Sequence, residues 1–203
     1  PPDIAFTAAS TMKIPIMVSS FRRLAEPAPD QTLALLELMI ERSENDATDA
    51  LMDIIGGNLG PLLVTDDLES MGFQNTFIAG YFYIGAPLLQ RLSTPANQRS
   101  DVNTFPDAYN QTTPAEIGML LDDIYQCANS GGGTLSAVFP GEVVQEECRL
   151  MISYLTENRI ALLLQAGLPD GTRFAHKHGW TVGGDALIHT MSDAGIVYSP
   201  GGN

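Results

Sequence analysis

The sequence predicts an α/β protein of the α+β type, in which a helical part precedes the strands of an antiparallel sheet. From residue 10 to about residue 170, apolar residues recur at helical spacing and are interrupted by proline and glycine, which indicates a series of amphipathic helices. Residues 171–203 instead hold two runs typical of strands, "RFAHKHGWTV" and "DAGIVYS", with Gly183-Gly184 as a turn between them. A chain of 203 residues suits one large domain, so we expect residues 1–203 to form a single domain.

Start and stop signals bound the predicted helices. Asp30 is expected to cap one helix, and Gly56-Gly57 to end the next one. Thr113 and Glu116 have the spacing of a capping box, and Asp66 and Asp67 are expected on the solvated side of their helix. The predicted helices cover residues 10–24, 31–42, 46–55, 61–71, 114–129, 142–158 and 159–166.

One region does not fit a regular element. Residues 83–111 contain several prolines and polar residues without periodicity, and a loop of this length is usually functional or disordered.

The two predicted strands would not form a stable sheet on their own. We therefore expect the sheet to be incomplete in this chain, or to include strands that the pattern does not reveal.

Charge and composition exclude several kinds of partner. The formal net charge is -14, which disfavours binding to nucleic acid and to anionic membrane surfaces. No apolar run is long enough to predict a transmembrane helix. The chain begins at Pro1 with neither a methionine nor a signal peptide, and we interpret it as an excised or processed piece.

Cys127 and Cys148 are the two cysteines of the chain. They can pair in an oxidising compartment, or remain as two buried thiols in the cytosol. The spacing alone does not decide between these states.

Ser10 and Lys13 form the first candidate catalytic pair. On a helix, residues three apart share a face, so the hydroxyl and the amine can meet. A buried lysine with a lowered pKa can accept the serine proton and make the oxygen a nucleophile. The alternative is that Ser-x-x-Lys is a chance occurrence and that the lysine amine reaches the surface.

Two further motifs follow in the chain. Ser43-Glu44-Asn45 lies between two predicted helices, where a polar triplet can also act simply as an N-cap. Lys177-His178-Gly179 lies on a predicted strand, where a lysine can also serve to protect a sheet edge.

In this order, Ser-x-x-Lys, Ser-x-Asn and Lys-x-Gly resemble the motifs of serine β-lactamases and penicillin-binding proteins, and in particular of the class A β-lactamase family. The likeness extends over "AASTMKIPIMV", "LMIERSENDATDALMDIIGG", "NQTTPAEIGMLLDDI", "AHKHGW" and "SDAGIVYSPGG". It implies a β-lactamase/transpeptidase-like fold, with a helical subdomain and an antiparallel sheet flanked by helices.

The resemblance also implies roles for individual residues. Ser10 would be the acylated nucleophile and Lys13 its general base. Ser43, helped by Lys177, would pass a proton to the leaving nitrogen, and Lys177 would also attract the substrate carboxylate. Substrate-binding roles would fall to Asn45, His178, Gly179, Trp180 and Thr181, and the N–H groups of Ser10 and Trp180 would form the oxyanion hole.

The sequence departs from this family in the loop that activates the deacylating water. The expected Glu-x-x-Leu-Asn motif is missing, and Asp101 and Asn103 are the nearest substitutes in residues 83–111, although Asp101 can also be simply a turn residue of the loop. A second departure is His178, which replaces a hydroxyl residue. A protonated histidine could bind the substrate carboxylate at that position and would make binding sensitive to pH.

The resemblance therefore implies a serine hydrolase that β-lactams or related amides acylate at Ser10, with hydrolysis of the β-lactam ring. The alternatives are a penicillin-binding DD-peptidase or esterase-like hydrolase, and a β-lactam or peptidoglycan sensor that does not turn over. The expected partner is a small β-lactam or a D-Ala-D-Ala-like peptide, with no metal or other cofactor. An extracytoplasmic location follows from the family, whereas the oligomeric state stays open.

Overall fold

The computed structural model describes residues 2–24, 28–158 and 163–199. Within these ranges the helices are α1 (Lys13–Arg23), α2 (Asp30–Glu41), α3 (Asn45–Gly56), α4 (Gly60–Ser70), α5 (Pro114–Ser130), α6 (Thr134–Val138) and α7 (Gln145–Thr156). The strands are β1 (Phe6–Thr7), β2 (Phe77–Ile78), β3 (Asn110–Thr112), β4 (Phe174–Val182) and β5 (Ile188–Val197). The predicted order of helices followed by an antiparallel strand pair is confirmed.

Most predicted helices are present with small shifts at their ends. A short 3₁₀ turn over Ala9–Met12 leads directly into α1, so the predicted start of the first helix is a tighter turn. The helix predicted from residue 142 begins at Gln145. Of the helix predicted over 159–166, residues 159–162 lie outside the described residues, and Leu164–Gly167 form a 3₁₀ turn.

Two antiparallel sheets are described. β4 and β5 form a hairpin in which Lys177 lies opposite Ala194 and Gly179 lies opposite Ser192. The strands β1, β3 and β2 form a separate sheet in that order. The sequence analysis missed this second sheet because strands of two or three residues are too short to show an alternating pattern.

Helix α1 lies at the centre of the molecule. All residues from Lys13 to Phe21 are buried, and α1 contacts α2, α3, α4 and α7. The buried stretch includes the polar residues Ser19 and Ser20, so the surrounding elements enclose this part of the helix on all sides. Because α1 is enclosed in this way, the lysine at its first position is inside the protein.

A disulfide bond joins Cys127 of α5 to Cys148 of α7. The two half-cystines are fully buried in the apolar core. The bond thus connects the two helices that pack behind the hairpin. Of the two states that the sequence allowed, a disulfide or two buried thiols, the structure has the disulfide. Within the described ranges, no helix is both long and apolar enough to cross a membrane.

Two of the predicted polar positions differ from expectation. Asp67 is buried, and its carboxylate pairs with Arg22 and Arg23 at the end of α1, so the prediction of a solvated side chain is wrong. Thr113 caps α5 by accepting the Glu116 N–H at 3.2 Å, as predicted. The Glu116 carboxylate does not return to the cap. It accepts the N–H groups of Gln74 and Asn75 at 3.0 Å instead.

We expect Asp67→Ala to lower the free energy of unfolding by about 3 kcal/mol, because it leaves two partly buried guanidinium groups without their shared anion. Urea unfolding followed by circular dichroism measures this change. Asp66→Ala is the matched control, since Asp66 is the exposed neighbour on the same helix. Equal losses in the two variants would show that the ion pairs do not matter for stability.

Candidate active site

Ser10 lies in the 3₁₀ turn that precedes α1, and Lys13 is the first residue of the helix. Ser10 is partly exposed, while the Lys13 side chain is fully buried. The described residues offer the Ser10 hydroxyl no hydrogen-bond partner. A hydroxyl with no such partner, beside a pocket, is available to a ligand.

The Lys13 amine is held by the turn between α2 and α3. Its Nζ atom donates to the Ser43 carbonyl oxygen at 2.6 Å, to Asn45 Oδ1 at 2.9 Å and to Ser43 Oγ at 3.2 Å. Burial, followed by the nearby charge of Lys177, lowers the pKa of Lys13 to about 7. The more distant carboxylates of Asp49 and Glu44 act in the opposite direction. The amine can therefore lose its proton near neutral pH.

Ser43 itself has an unusual backbone conformation. Its φ is 59°, in the left-handed region that costs a residue other than glycine about 1–2 kcal/mol. This conformation brings both its carbonyl oxygen and its hydroxyl to Lys13. Glu44 of the same triplet is the N-cap position of helix α3, with no side-chain cap, so the triplet starts this helix and also supplies hydrogen-bond acceptors to Lys13.

Lys177 approaches the same hydroxyl from β4. Its Nζ donates to Ser43 Oγ at 2.9 Å and to the His178 carbonyl oxygen at 3.0 Å. The side chain is fully buried, and burial lowers its pKa to about 7, with Asp193 acting against the shift. Because Lys177 is enclosed between β4 and Ser43, it is not a solvated edge-strand lysine.

The glycine of the third motif is required by close packing. A Cβ atom on Gly179 would stand 2.5 Å from Ser10 N and 3.1 Å from the Ala8 carbonyl oxygen. Ser192, opposite Gly179 on β5, donates its hydroxyl to the same Ala8 carbonyl at 3.2 Å. The hairpin thus packs directly on the turn that carries Ser10.

His178 differs from its expected role. The imidazole is buried, Nδ1 lies 3.1 Å from Asn158 Nδ2, and the ring stacks on Trp180. Burial, followed by the charge of Lys177, lowers the pKa of His178 to about 4. The imidazole is therefore neutral at neutral pH, and the expectation of a protonated histidine that binds a carboxylate is not supported.

Two other predicted residues do not reach the site pocket. The Asp101 carboxylate is exposed on the loop, where Arg99 binds both of its oxygens at 2.9 and 2.6 Å. Thr181 follows Trp180 on β4 opposite Thr190, and it is not among the residues that line the pocket. The remaining predicted residues come together in or beside one pocket.

That pocket has a volume of about 220 Å³. Its lining consists of Ser10, Arg42, Ser43, Asn45, His178, Gly179 and Trp180. The pocket thus brings Ser10, the candidate nucleophile in the 3₁₀ turn before α1, together with the turn between α2 and α3 and with β4. Arg42 had not been singled out by the sequence analysis.

Helix α3 also holds the loop between β2 and β3, which includes the predicted loop 83–111, over Lys13. The Asp49 carboxylate accepts the N–H groups of Phe82 and Tyr83 at 2.8 and 2.9 Å, and the Phe82 ring centroid lies 5.2 Å from Lys13 Nζ. Sequence reasoning missed both Asp49 and Phe82. The spacing of Asp49 from Asn45, one helical turn, was the signal that could have placed it on the same face.

A family model described as "Beta-lactamase enzyme family" matches residues 31–203. The chain belongs to this family. Its members are serine hydrolases of the β-lactamase kind. No curated protein matches the chain.

Solved structures agree in fold at low sequence identity. PBP-A, in a point mutant described as an acyl-enzyme complex with penicillin G, has a TM-score of 0.66 at 23% identity. The alignment covers 99% of this chain and 70% of PBP-A. A class A β-lactamase from Bacteroides cellulosilyticus gives a TM-score of 0.68 at 16% identity, covering 100% and 73%. A β-lactamase from Chitinophaga pinensis gives 0.70 at 16%, covering 99% and 74%.

We expect Gly179→Ala to slow any reaction at Ser10 by about 100-fold, because the added methyl group forces β4 away from the Ser10 turn. The rate of modification of Ser10 by benzylpenicillin, followed by intact-protein mass, measures the effect. Gly184→Ala serves as the control, since a Cβ there meets no atom within 4 Å. A Gly179→Ala variant that reacts as fast as the control would show that this packing does not position Ser10.

Proposed function

We propose that this protein is a serine hydrolase that β-lactams, or related amides such as acyl-D-Ala-D-Ala peptides, acylate at Ser10. The observation that carries the proposal is the joint arrangement of Lys13, Lys177 and Ser43 beside the free Ser10 hydroxyl. Two amines of lowered pKa share one relay oxygen, which is a suitable set for moving a proton from a nucleophile to a leaving group.

The proposed acylation step uses these groups in sequence. Ser10 Oγ attacks the carbonyl carbon while its proton moves to neutral Lys13. The C–N bond then breaks, and the leaving nitrogen takes a proton from Ser43 Oγ, which Lys13 replenishes. The Ser43 oxygen accepts from both lysines, so its own hydrogen can point into the pocket. The N–H groups of Ser10 and Trp180 are the proposed oxyanion donors.

The fate of the acyl group depends on a base for water. Among the described residues, the carboxylates that act on Lys13 are those of Asp49 and Glu44. Asp49 already accepts two backbone N–H groups, and Glu44 is exposed. The loop presents Phe82 beside Lys13, while Asp101 is bound to Arg99 outside the pocket. These contacts favour slow deacylation, as in a penicillin-binding protein, over rapid hydrolysis of the β-lactam ring.

Rapid turnover is the second candidate, and the class A β-lactamases among the structures of similar fold favour it. In that case, a carboxylate near the site must activate water despite its hydrogen bonds.

We also propose an extracytoplasmic location, which the Cys127–Cys148 disulfide supports, because disulfides persist in oxidising compartments.

Intact-protein mass after mixing with benzylpenicillin tests the proposal. We expect one adduct that persists for minutes to hours and is absent from Ser10→Ala, because nothing in the pocket is placed to hydrolyse it quickly. An adduct that decays within seconds while penicilloate accumulates would instead establish a β-lactamase. A folded wild-type protein that never forms an adduct would overturn the acylation proposal.

The rate of acylation should depend on pH through the lysine pair. Lys13 must be neutral to accept the Ser10 proton, so the rate should rise with pH through a pKa of about 7 and then level. Well below this pKa the loss approaches tenfold per pH unit. Rates measured by mass spectrometry between pH 5 and 8 test this, with circular dichroism to verify folding at each pH. A rate that is constant across this range would exclude Lys13 as the base.

A further inference from the structure

The pocket has an unmet electrostatic requirement, if the proposed function is correct. β-Lactams and D-Ala-D-Ala peptides carry a carboxylate, which needs a cation near the mouth of the site. Lys177 is fully buried and already donates to Ser43 and to the His178 carbonyl. His178 is buried and hydrogen-bonded to Asn158. Neither residue presents a free cation to the solvent side of the pocket.

Arg42 presents such a cation. It directly precedes Ser43, its side chain is exposed, and it lines the same pocket as Ser10 and Gly179. Its backbone is fixed as the C-cap of α2, where its N–H donates to the Leu38 carbonyl at 3.2 Å. The residue is thus anchored through its backbone and lines the pocket.

The guanidinium of Arg42 is also free to accept an anion. It forms no ion pair and no side-chain hydrogen bond with the described residues. By contrast, Arg22 and Arg23 bind Asp67, and Arg99 binds Asp101.

We propose that Arg42 is a specificity-determining residue that binds the carboxylate of the substrate at the mouth of the Ser10 pocket. Arginine suits this role because its planar guanidinium keeps its charge at all relevant pH values and can bind a carboxylate through two parallel hydrogen bonds. The two buried lysines are then left to proton transfer. The site would thus select amides that carry an acidic group near the scissile bond.

Binding can be measured without acylation by using Ser10→Ala as the background. Trp180 is the single tryptophan of the chain and lines the pocket, so its fluorescence reports ligand binding directly. The probes are benzylpenicillin and its methyl ester, which lacks the negative charge. Each is titrated into Ser10→Ala and into Ser10→Ala with Arg42→Gln or Arg42→Lys.

We expect Arg42→Gln to raise the Kd for benzylpenicillin about tenfold or more, because a charge-assisted contact is lost, and to leave the Kd for the ester within a factor of two. Arg42→Lys should retain part of the preference for the acid. Arg91→Gln is the matched control, since it removes the same charge from an exposed residue that does not line this pocket. Its Kd values should equal those of the background.

Three results would overturn the inference: an unchanged Kd for benzylpenicillin in Arg42→Gln, an equal loss for acid and ester, or no binding of either probe to the background. Failure of the proposed function is a separate result. It would show as a wild-type protein that forms no adduct although the binding titrations retain their dependence on Arg42.

Discussion

The site depends on one hydroxyl group that two buried lysines share. Lys13 from α1 and Lys177 from β4 both reach Ser43 Oγ, and both side chains are fully buried. Neither amine forms an ion pair with a described carboxylate, so burial is not offset by a direct opposite charge. Their pKa values fall to about 7 for this reason, and the two groups become able to exchange protons near neutral pH.

Much of the surrounding structure serves to keep these amines out of water. Helix α1 is enclosed by four other helices, which places its first residue in the core. The Phe82 ring covers Lys13, and Asp49 holds that part of the loop by two hydrogen bonds to its backbone. The same contacts exclude a flexible carboxylate from the position beside Lys13. In the proposed mechanism, the burial of the base and the slow deacylation therefore have a common structural origin.

Two residues beside the pocket have strained backbone conformations. Ser43 and Ala9 have φ values of 59° and 48°, and the second of these residues immediately precedes Ser10. Conformations of this kind cost about 1–3 kcal/mol each and persist only where the surrounding packing enforces them. Here the hairpin supplies that packing, because Gly179 allows β4 to lie against the backbone of Ser10.

The sequence by itself determined the helices with clear start and stop signals and the hairpin around Gly183-Gly184. It also singled out Ser10, Lys13, Ser43 and Lys177 as candidate site residues, since short motifs and local periodicity are encoded within a few neighbouring residues. Only the tertiary structure decided that His178 is neutral, that Asp101 lies outside the pocket and that Arg42 and Phe82 line or cover the site. Charge state and proximity depend on burial by residues far away in the chain, and no local pattern carries that information.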